Sequence, residues 1–561
     1  MKSNGQVSVC LNDLTASPSL LDNFLTDPSH SLRKRNGYKK LFDLSFAPNH
    51  AYISGSSPED SVNLVLENYV STIDLEHLCE IPPYDTPKPV SGASSSVVRY
   101  GDETVIFDGA CVCQRYGDGT RELSGYVPLC ANMWECGKKG EIFEALNLLS
   151  NHFRATYRFT GESTTLFLPF YARCIDRVSF NGNVIGPEDY DLSLDGEKIY
   201  CRFLDGEEGE NFITVYATVS DGFAADSAIA RCRSASCDNS TVYAFGSSQE
   251  GDETKLFFSR PSHEKSDVTC ISLYGVNSEL CFFEGDQLIM SSGKEIRAVF
   301  PIYDKVLIFC ENDVHLLEAG ELPTLLFSGA GALCNQSVAR FGKDVIFVGK
   351  NGLFRLTLAD KKESCKLERL LSPSLFPKDF LSGACLVCDS DSELVYVYNS
   401  HSDEGAFVYS FETAALSHFI GLSPHVMFCF DGKTYFTTDD KLFVFSDDSY
   451  CDSPDGESSV PITALFRSKA FDIDSPFTRK KLESLSLRAL GQGEASVSLE
   501  LDKVKRTDVS LKLRPCMPSG VFKRKLPPHR FYSVSVTVSH TGDGELCIPA
   551  LELIARGQKS K

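Results

Sequence analysis

Hydrophobic and polar positions alternate along most of this chain with a period of two. Short runs rich in β-branched and aromatic residues, such as Val345-Ile-Phe-Val348 and Val534-Ser-Val-Thr-Val538, are separated by polar turns. That pattern is the mark of strands buried on one or both faces. One segment, residues 141–149, carries a helical spacing instead. The pattern predicts an all-β protein.

A repeat emerges in the middle of the chain. Residues 301–309, 340–348 and 429–437 each read as strand, tight polar turn, strand, and a third strand follows at 314–317, 353–358 and 442–445. A weaker copy runs through 393–398 and 406–410, and 51–54, 63–70, 97–107 and 279–292 are candidates for more. Units of three or four strands spaced by about 40 to 50 residues match the blade period of a β-propeller. The lone Trp134, the lack of a Gly-Gly pair and the lack of a Ser-x-Asp-x-Gly-x-x-Trp box set aside WD40, kelch and sialidase repeats. The expected core is therefore an irregular β-propeller.

Two regions break the repeat. Residues 125–220 have their own alternation and a turn at Asn181-Gly-Asn183, which predicts an inserted small β-sandwich. Alternation becomes strict after Arg467, in 497–501, 509–513 and 534–538, with Leu482, Ser484 and Ser486 in one phase against Leu485 and Leu487. This predicts a C-terminal β-sandwich, joined by a linker at 449–459. The expected units are 1–124 and 221–460 for the propeller, 125–220 for the insertion and 461–561 for the terminal sandwich.

Charge adds a second layer. The formal net charge is −21, which argues against a general nucleic-acid surface. Between Arg479 and Arg530, thirteen Lys or Arg face five Asp or Glu, a balance of +8, so the remainder carries −21 − 8 = −29. Arg479, Lys480, Lys481, Lys523, Arg524 and Lys525 are candidates for contact with an acidic neighbouring copy, the plainer reading being a solvated face. Asp205, Glu207, Glu208 and Glu210 form an acidic loop that reads as solvated.

No constellation with catalytic or metal-binding spacing emerges. The 21 cysteines are mostly single within strand-like runs, and Cys385-Leu-Val-Cys388 and Cys111-Val-Cys113 have no second half for a four-ligand zinc site. His401-Ser402-Asp403 has the residue types of a triad, but three consecutive loop residues do not take triad geometry. Neither a P-loop nor a GxSxG elbow occurs, and Asp447-Asp448 reads as loop. The basic run 33–40 contains Asn36-Gly37, a hairpin signal that predicts two strands meeting there. The longest apolar runs are strand-sized, too short for a membrane helix. The first residues lack an apolar signal core, so the chain is expected to stay in the compartment where it is made.

The motifs Leu11-Asn-Asp-Leu14 and Leu32-Arg-Lys-Arg-Asn-Gly-Tyr-Lys-Lys-Leu41 resemble the start of bacteriophage tail-nozzle or tail-hub (stabilisation) proteins. Residues 255–261, 298–309, 337–355 and 466–471 extend the resemblance, and the insertion is similar to a module of phage structural proteins through 159–166, 178–182 and 189–192. The resemblance implies a structural virion protein with no enzyme activity and no cofactor. It implies a homo-oligomeric ring, typically sixfold, below the portal and adaptor, closing and then conducting the DNA ejection channel, which the acidic loop of Asp205, Glu207, Glu208 and Glu210 is expected to face. The implied partners are other copies, portal and adaptor proteins, tail fibre or tip proteins and DNA in transit, with no membrane insertion. The implied location is the virion tail, after synthesis in the host cytoplasm. Because the chain lacks room for extra tip domains, a neck or distal-tail role in a longer-tailed phage stays open. A receptor- or glycan-binding tail protein and a cellular propeller scaffold stay open as well.

Overall fold

The computed structural model describes residues 6–557 with gaps. Within the first half the gaps are 16–17, 54–61, 67–68, 86–95, 101–102, 108, 110–111, 117–118, 123–126, 129–133, 136, 138–151, 160–164, 169–170, 187–189, 196–197, 204–210, 220–227, 239–240 and 260–279. The later gaps are 281, 283–286, 291–292, 319–320, 360–361, 447–448, 474–475 and 514–519. The protein is all-β: among the described residues the one α-helix is Leu11–Thr15, beside a few 3-10 turns. The helical pattern at 141–149 lies outside the described residues.

Among the described residues six separate four-stranded antiparallel sheets are present, and the first four strands of an eleven-stranded sheet make a seventh unit of the same kind. Their first strands are His50–Ile53, Ser96–Tyr100, Cys232–Cys237, Ile296–Ile302, Val338–Phe341, Ala384–Asp389 and Val426–Phe430. Neighbours in this order touch, and the last touches the first, so the seven sheets close a ring. Between the fourth and fifth sheets the contact is made by the turn Asn335–Ser337, which leads into Val338.

Alternate residues of one strand feed two different cores, which explains why the middle strands are apolar without a break. In Asp344–Gly349 every residue is buried. Val345 and Phe347 pack with the fourth sheet, whereas Ile346 and Val348 pack with the sixth. Lys305–Cys310 behaves likewise, with Leu307 and Phe309 on one side and Val306, Ile308 and Cys310 on the other. Every adjacent pair of sheets shares one such core, at about 1.5–3 kcal/mol for each large side chain buried. The repeats expected at 301, 340 and 429 are the first two strands of the fourth, fifth and seventh sheets.

The seventh sheet takes its fourth strand, Tyr38–Asp43, from the N-terminal part of the chain, paired with Lys441–Phe445. Asn36-Gly37 is therefore not a hairpin turn. Leu32–Lys34 pairs instead with Phe24–Thr26 and Leu546–Gly557, in a different sheet. Each flanking strand finds a longer partner elsewhere, and those ladders outweigh a local two-strand pairing.

Strands between Val127 and Val219 form a six-stranded and a three-stranded sheet, inserted between the second and third sheets of the ring. Its turn at Asn181 and Gly182 has both residues at positive φ, as a type I′ hairpin requires.

The terminal sandwich is built from both ends of the chain. Gln6–Cys10 pairs with Leu546–Gly557, and Pro18–Asp22 pairs with Val460–Ser468. Residues 6–34 thus belong with the sandwich, which corrects the expected grouping of 1–124 with the propeller. Leu11, Leu14, Leu21, Phe24 and Leu32 complete a core of Val497, Leu499, Val536, Val538 and Leu553. The expected phase of Leu482 is corrected too. A bulge between Leu482 and Ser484 shifts the register by one residue, so that Leu482, Leu485 and Leu487 all face the core.

Candidate interaction surface and junction cleft

The sandwich meets the ring at a buried polar junction. Arg35, 1% exposed, gives Nη1 and Nη2 to the two carboxylate oxygens of Asp452 at 2.8 and 2.7 Å. Its Nε donates to Asn23 Oδ1 at 2.8 Å, and Nη1 also donates to Asn36 O. The guanidinium lies 5.6 Å from the centre of the Phe419 ring. Asn23 in turn donates its amide to Thr463 O and its backbone N–H to His418 O. One cation thus links the N-terminal segment, the sixth sheet and the segment after the seventh. Cys451–Asp452, expected within a linker, is a short strand paired with Val460 and Pro461.

Beside this junction lies a cleft of about 320 Å³, lined by Lys34, Arg35, Asp389, Tyr396, Phe419, Thr434 and Glu545 among others. Lys34 is buried, donates to the carbonyls of Gly542 and Gly544, and is pulled down to about 8 by burial. Asp389 accepts from Thr434 Oγ1 and from the N–H groups of Asp391 and Ser392. These bonds hold protein to protein, and the basic run 33–40, read by itself, gave no sign that two of its charges are buried.

A second polar cluster bridges the ring's interior. Asn335 donates to Ser236 Oγ and Ala235 O and accepts from the N–H of Val299, while Gln336 reaches Tyr52 Oη at 3.3 Å. The turn thereby spans the first strands of the first, third and fourth sheets. Cys334, at its start, touches Cys385 on the first strand of the sixth. The hydrogen bond from Cys385, with backbone N–H groups of Gln336 and Ser337, favours the Cys334 thiolate against burial and brings its pKa to about 7. The same bond, together with burial, pushes Cys385 well above the usual thiol range.

The cationic candidates separate into three environments. Lys480 is buried, with Nζ donating to Tyr532 O at 3.2 Å, so it is no surface contact; the bulged strand turns it inward. Lys523, Arg524 and Lys525 are exposed on Gly520–Lys525, which pairs with Lys480–Gly491 and lies at the edge of its sheet. Cations on an edge strand discourage further pairing. Arg479 and Lys481 are exposed at the end of the sandwich farthest from the ring. The register fixes that position: Lys481 lies opposite Arg556, whereas Gly491, at the other end of the same strand, lies opposite Leu546 beside the junction.

This distal end carries features that sequence reading missed. Phe477, Val504 and Tyr532 are 91%, 89% and 45% exposed. Arg479 lies 6.0 Å from the Tyr532 ring centre. Val504 is thrust out by a tight turn with Asp502 and Lys503 both at positive φ, and Asp502 Oδ1 accepts the N–H groups of Tyr532 and Ser533. Lys481 is flanked by Arg530 on one side and Arg556 on the other. Only pairing between distant strands makes that row.

The remaining candidates are not drawn together. Asp205, Glu207, Glu208, Glu210, Asp447, Asp448 and Cys111 lie outside the described residues. His401 and Ser402 make turn bonds, with the N–H of His401 donating to Asn399 Oδ1 and Ser402 Oγ accepting from the N–H of Glu404. Cys388 packs against the core shared by the fifth and sixth sheets, on the opposite side of its strand from Cys385, which packs against the core shared with the seventh. Among the described residues no group of three or more His, Cys, Asp or Glu is placed to hold a metal ion.

No family model matches the chain, and no curated protein matches it. Solved structures do. PorZ, an essential bacterial surface component of the type-IX secretion system of Porphyromonas gingivalis, aligns over 84% of this chain and 46% of its own length, at 9% identity and a TM-score of 0.32. The exo-beta-1,3-galactanase of Phanerochaete chrysosporium aligns over 56% of this chain and 78% of its own, at 9% identity and a TM-score of 0.21. This chain spans less than half the length of PorZ. The shared feature is a β-rich build.

Proposed function

We propose that this chain is a structural protein of a bacteriophage tail, several copies of which form a ring below the portal and adaptor. On this reading the seven sheets are a seven-bladed β-propeller closed by the N-terminal strand Tyr38–Asp43, and the chain is not an enzyme. The observation that favours it most is the Arg35 junction, which ties the N-terminal segment, the ring of sheets and the terminal sandwich through buried charge-assisted bonds. Such bonding suits a part that holds its shape between neighbours. The turn at 334–337 bridges the interior of the sheet ring, so a DNA path would run between copies and not through one. Sixfold symmetry, fibre or tip partners and a place in the virion tail follow from the family resemblance and belong to the same proposal.

The test is negative-stain imaging and mass measurement of the purified chain, alone and mixed with the portal complex of the same genome. Closed rings, free or on the portal, are expected. A monomer indifferent to the portal would overturn the proposal. A receptor- or glycan-binding tail protein is the second reading, favoured by the junction cleft with its carboxylates, among them the exposed Glu412. Binding of host polysaccharide, lost on replacing Glu412 with the melting temperature unchanged, would support it.

A further inference from the structure

We propose that the distal end of the terminal sandwich is a self-association surface that docks on the acidic body of a second copy of this chain. The inference rests on the ring reading above and names the surface that joins copies. Three observations converge on it.

The first is the row Arg530, Lys481 and Arg556 on adjacent strands, each exposed and each facing the next in register. Like charges directly opposite one another destabilise a sheet. Arg556 pairs with Glu483 at 2.8 Å, one carboxylate against three cations. An anionic partner laid across the row would relieve the repulsion.

The second is apolar. Single exposed hydrophobic residues are ordinary, but Val504 and Tyr532 lie at this one end, with Arg479 over the Tyr532 ring and Phe477 two residues before Arg479. Their proximity follows from bonds: Arg479 and Lys480 reach Tyr532, and Asp502 holds the N–H of Tyr532 two residues before Val504. Aromatic residues and arginine ringed by polar groups are the composition of interface centres.

The third is complementarity within the chain itself. Outside residues 479–530 the chain carries −29 against +8 inside. Residues 479–530 run the length of the sandwich, so the +8 belongs to the sandwich as a whole; its cationic, apolar tip and the acidic remainder of the chain suit a head-to-tail contact, the kind that closes into rings. A nucleic acid would satisfy the cations but not the apolar trio, so a second copy is the favoured occupant.

Sedimentation velocity of the full chain tests this, comparing wild type, the double variant Lys481→Glu with Arg530→Glu, and Phe477→Ser. Wild type is expected to assemble at about 0.05 M salt and to weaken as salt approaches about 0.5 M. The double variant should lose affinity by about tenfold or more. Phe477→Ser should lose it at both salt levels, with its melting temperature unchanged. If the charge-reversed protein does not fold, Phe477→Ser, at a side chain with little native burial, decides alone. Variants that assemble like wild type would overturn the tip proposal and leave the ring reading standing. Salt-dependent binding of a DNA duplex that Lys481→Glu abolishes, without self-association, would assign the tip to nucleic acid and overturn it as well. A wild-type chain that is monomeric alone and with the portal complex would overturn both.

Discussion

Arg35 and Asp452 lie 417 residues apart in the chain, and their side chains meet in a two-pronged contact at 2.7 and 2.8 Å, away from solvent. Neither charge could be buried there without the other. Asp452→Ala is expected to cost about 3–5 kcal/mol, because the guanidinium stays buried without its counter-charge. Replacing both residues by apolar ones of similar size should cost far less. Chemical denaturation of both single variants and the double variant checks this; a double loss equal to the sum of the two single losses would mean that the pair does not act as a unit.

Gly37 sits where the strand entering the seventh sheet crosses the segment after it. A Cβ there would lie 1.8 Å from the backbone oxygen of Cys451, and backbone cannot swing away as a side chain can. Gly37→Ala should destabilise the chain by about 1–3 kcal/mol or more, as overpacking does. A thermal melt with an unshifted midpoint would show that the crossing is looser than described.

Among the described residues His418 is the one residue of the sixth sheet paired in register with the terminal sandwich, opposite Asp22. Burial by itself would lower its pKa, but the Asp22 carboxylate, 3.4 Å from Nδ1, and the Glu404 carbonyl outweigh burial and raise it. A raised folded pKa means that this contribution is fully present below the unfolded value, about 6.5, and fades as pH rises through the folded one. Lys34 has the opposite dependence: with its pKa lowered to about 8, stability gains with pH between that value and about 10.4. The difference in stability between wild type and His418→Gln, followed from about pH 5 to 8, should therefore shrink as pH rises. A constant difference would rule out the His418 charge as its source.

Lys523 and Lys525 stand on the open edge of a sheet. Replacing both by Val should leave the fold intact and promote edge-to-edge association, read as turbidity and amyloid-dye binding on warming. That association would be insensitive to Phe477→Ser, unlike docking through the distal tip. A double variant as soluble as wild type would show that the edge is protected by something else.

Much of the architecture is written in local pattern. The unbroken run Val345–Val348 already says that the strand is covered on both faces, and Asn181-Gly182 already says where the insertion turns back. Alternation in 493–501 and 533–542 fixes which residues of the terminal sandwich are inside. Such features need only neighbours in sequence, because strand period and turn stereochemistry are local. The sequence by itself therefore determined an all-β chain, its repeat, its inserted unit and its charge asymmetry.

Tertiary structure decided the rest. Lys480 and Lys481 are adjacent in a basic run, yet one is buried and the other lies between Arg530 and Arg556. A bulge of one residue next to them sets that outcome, and period-two reading cannot see it. Nothing local marks Arg35 for burial, because the carboxylate that permits it is 417 residues away. Ring closure by Tyr38–Asp43 and the gathering of Val504 and Tyr532 also depend on which distant strands pair. Strand pairing is long-range and burial follows from it, so these properties belong to the folded chain and not to any stretch of it.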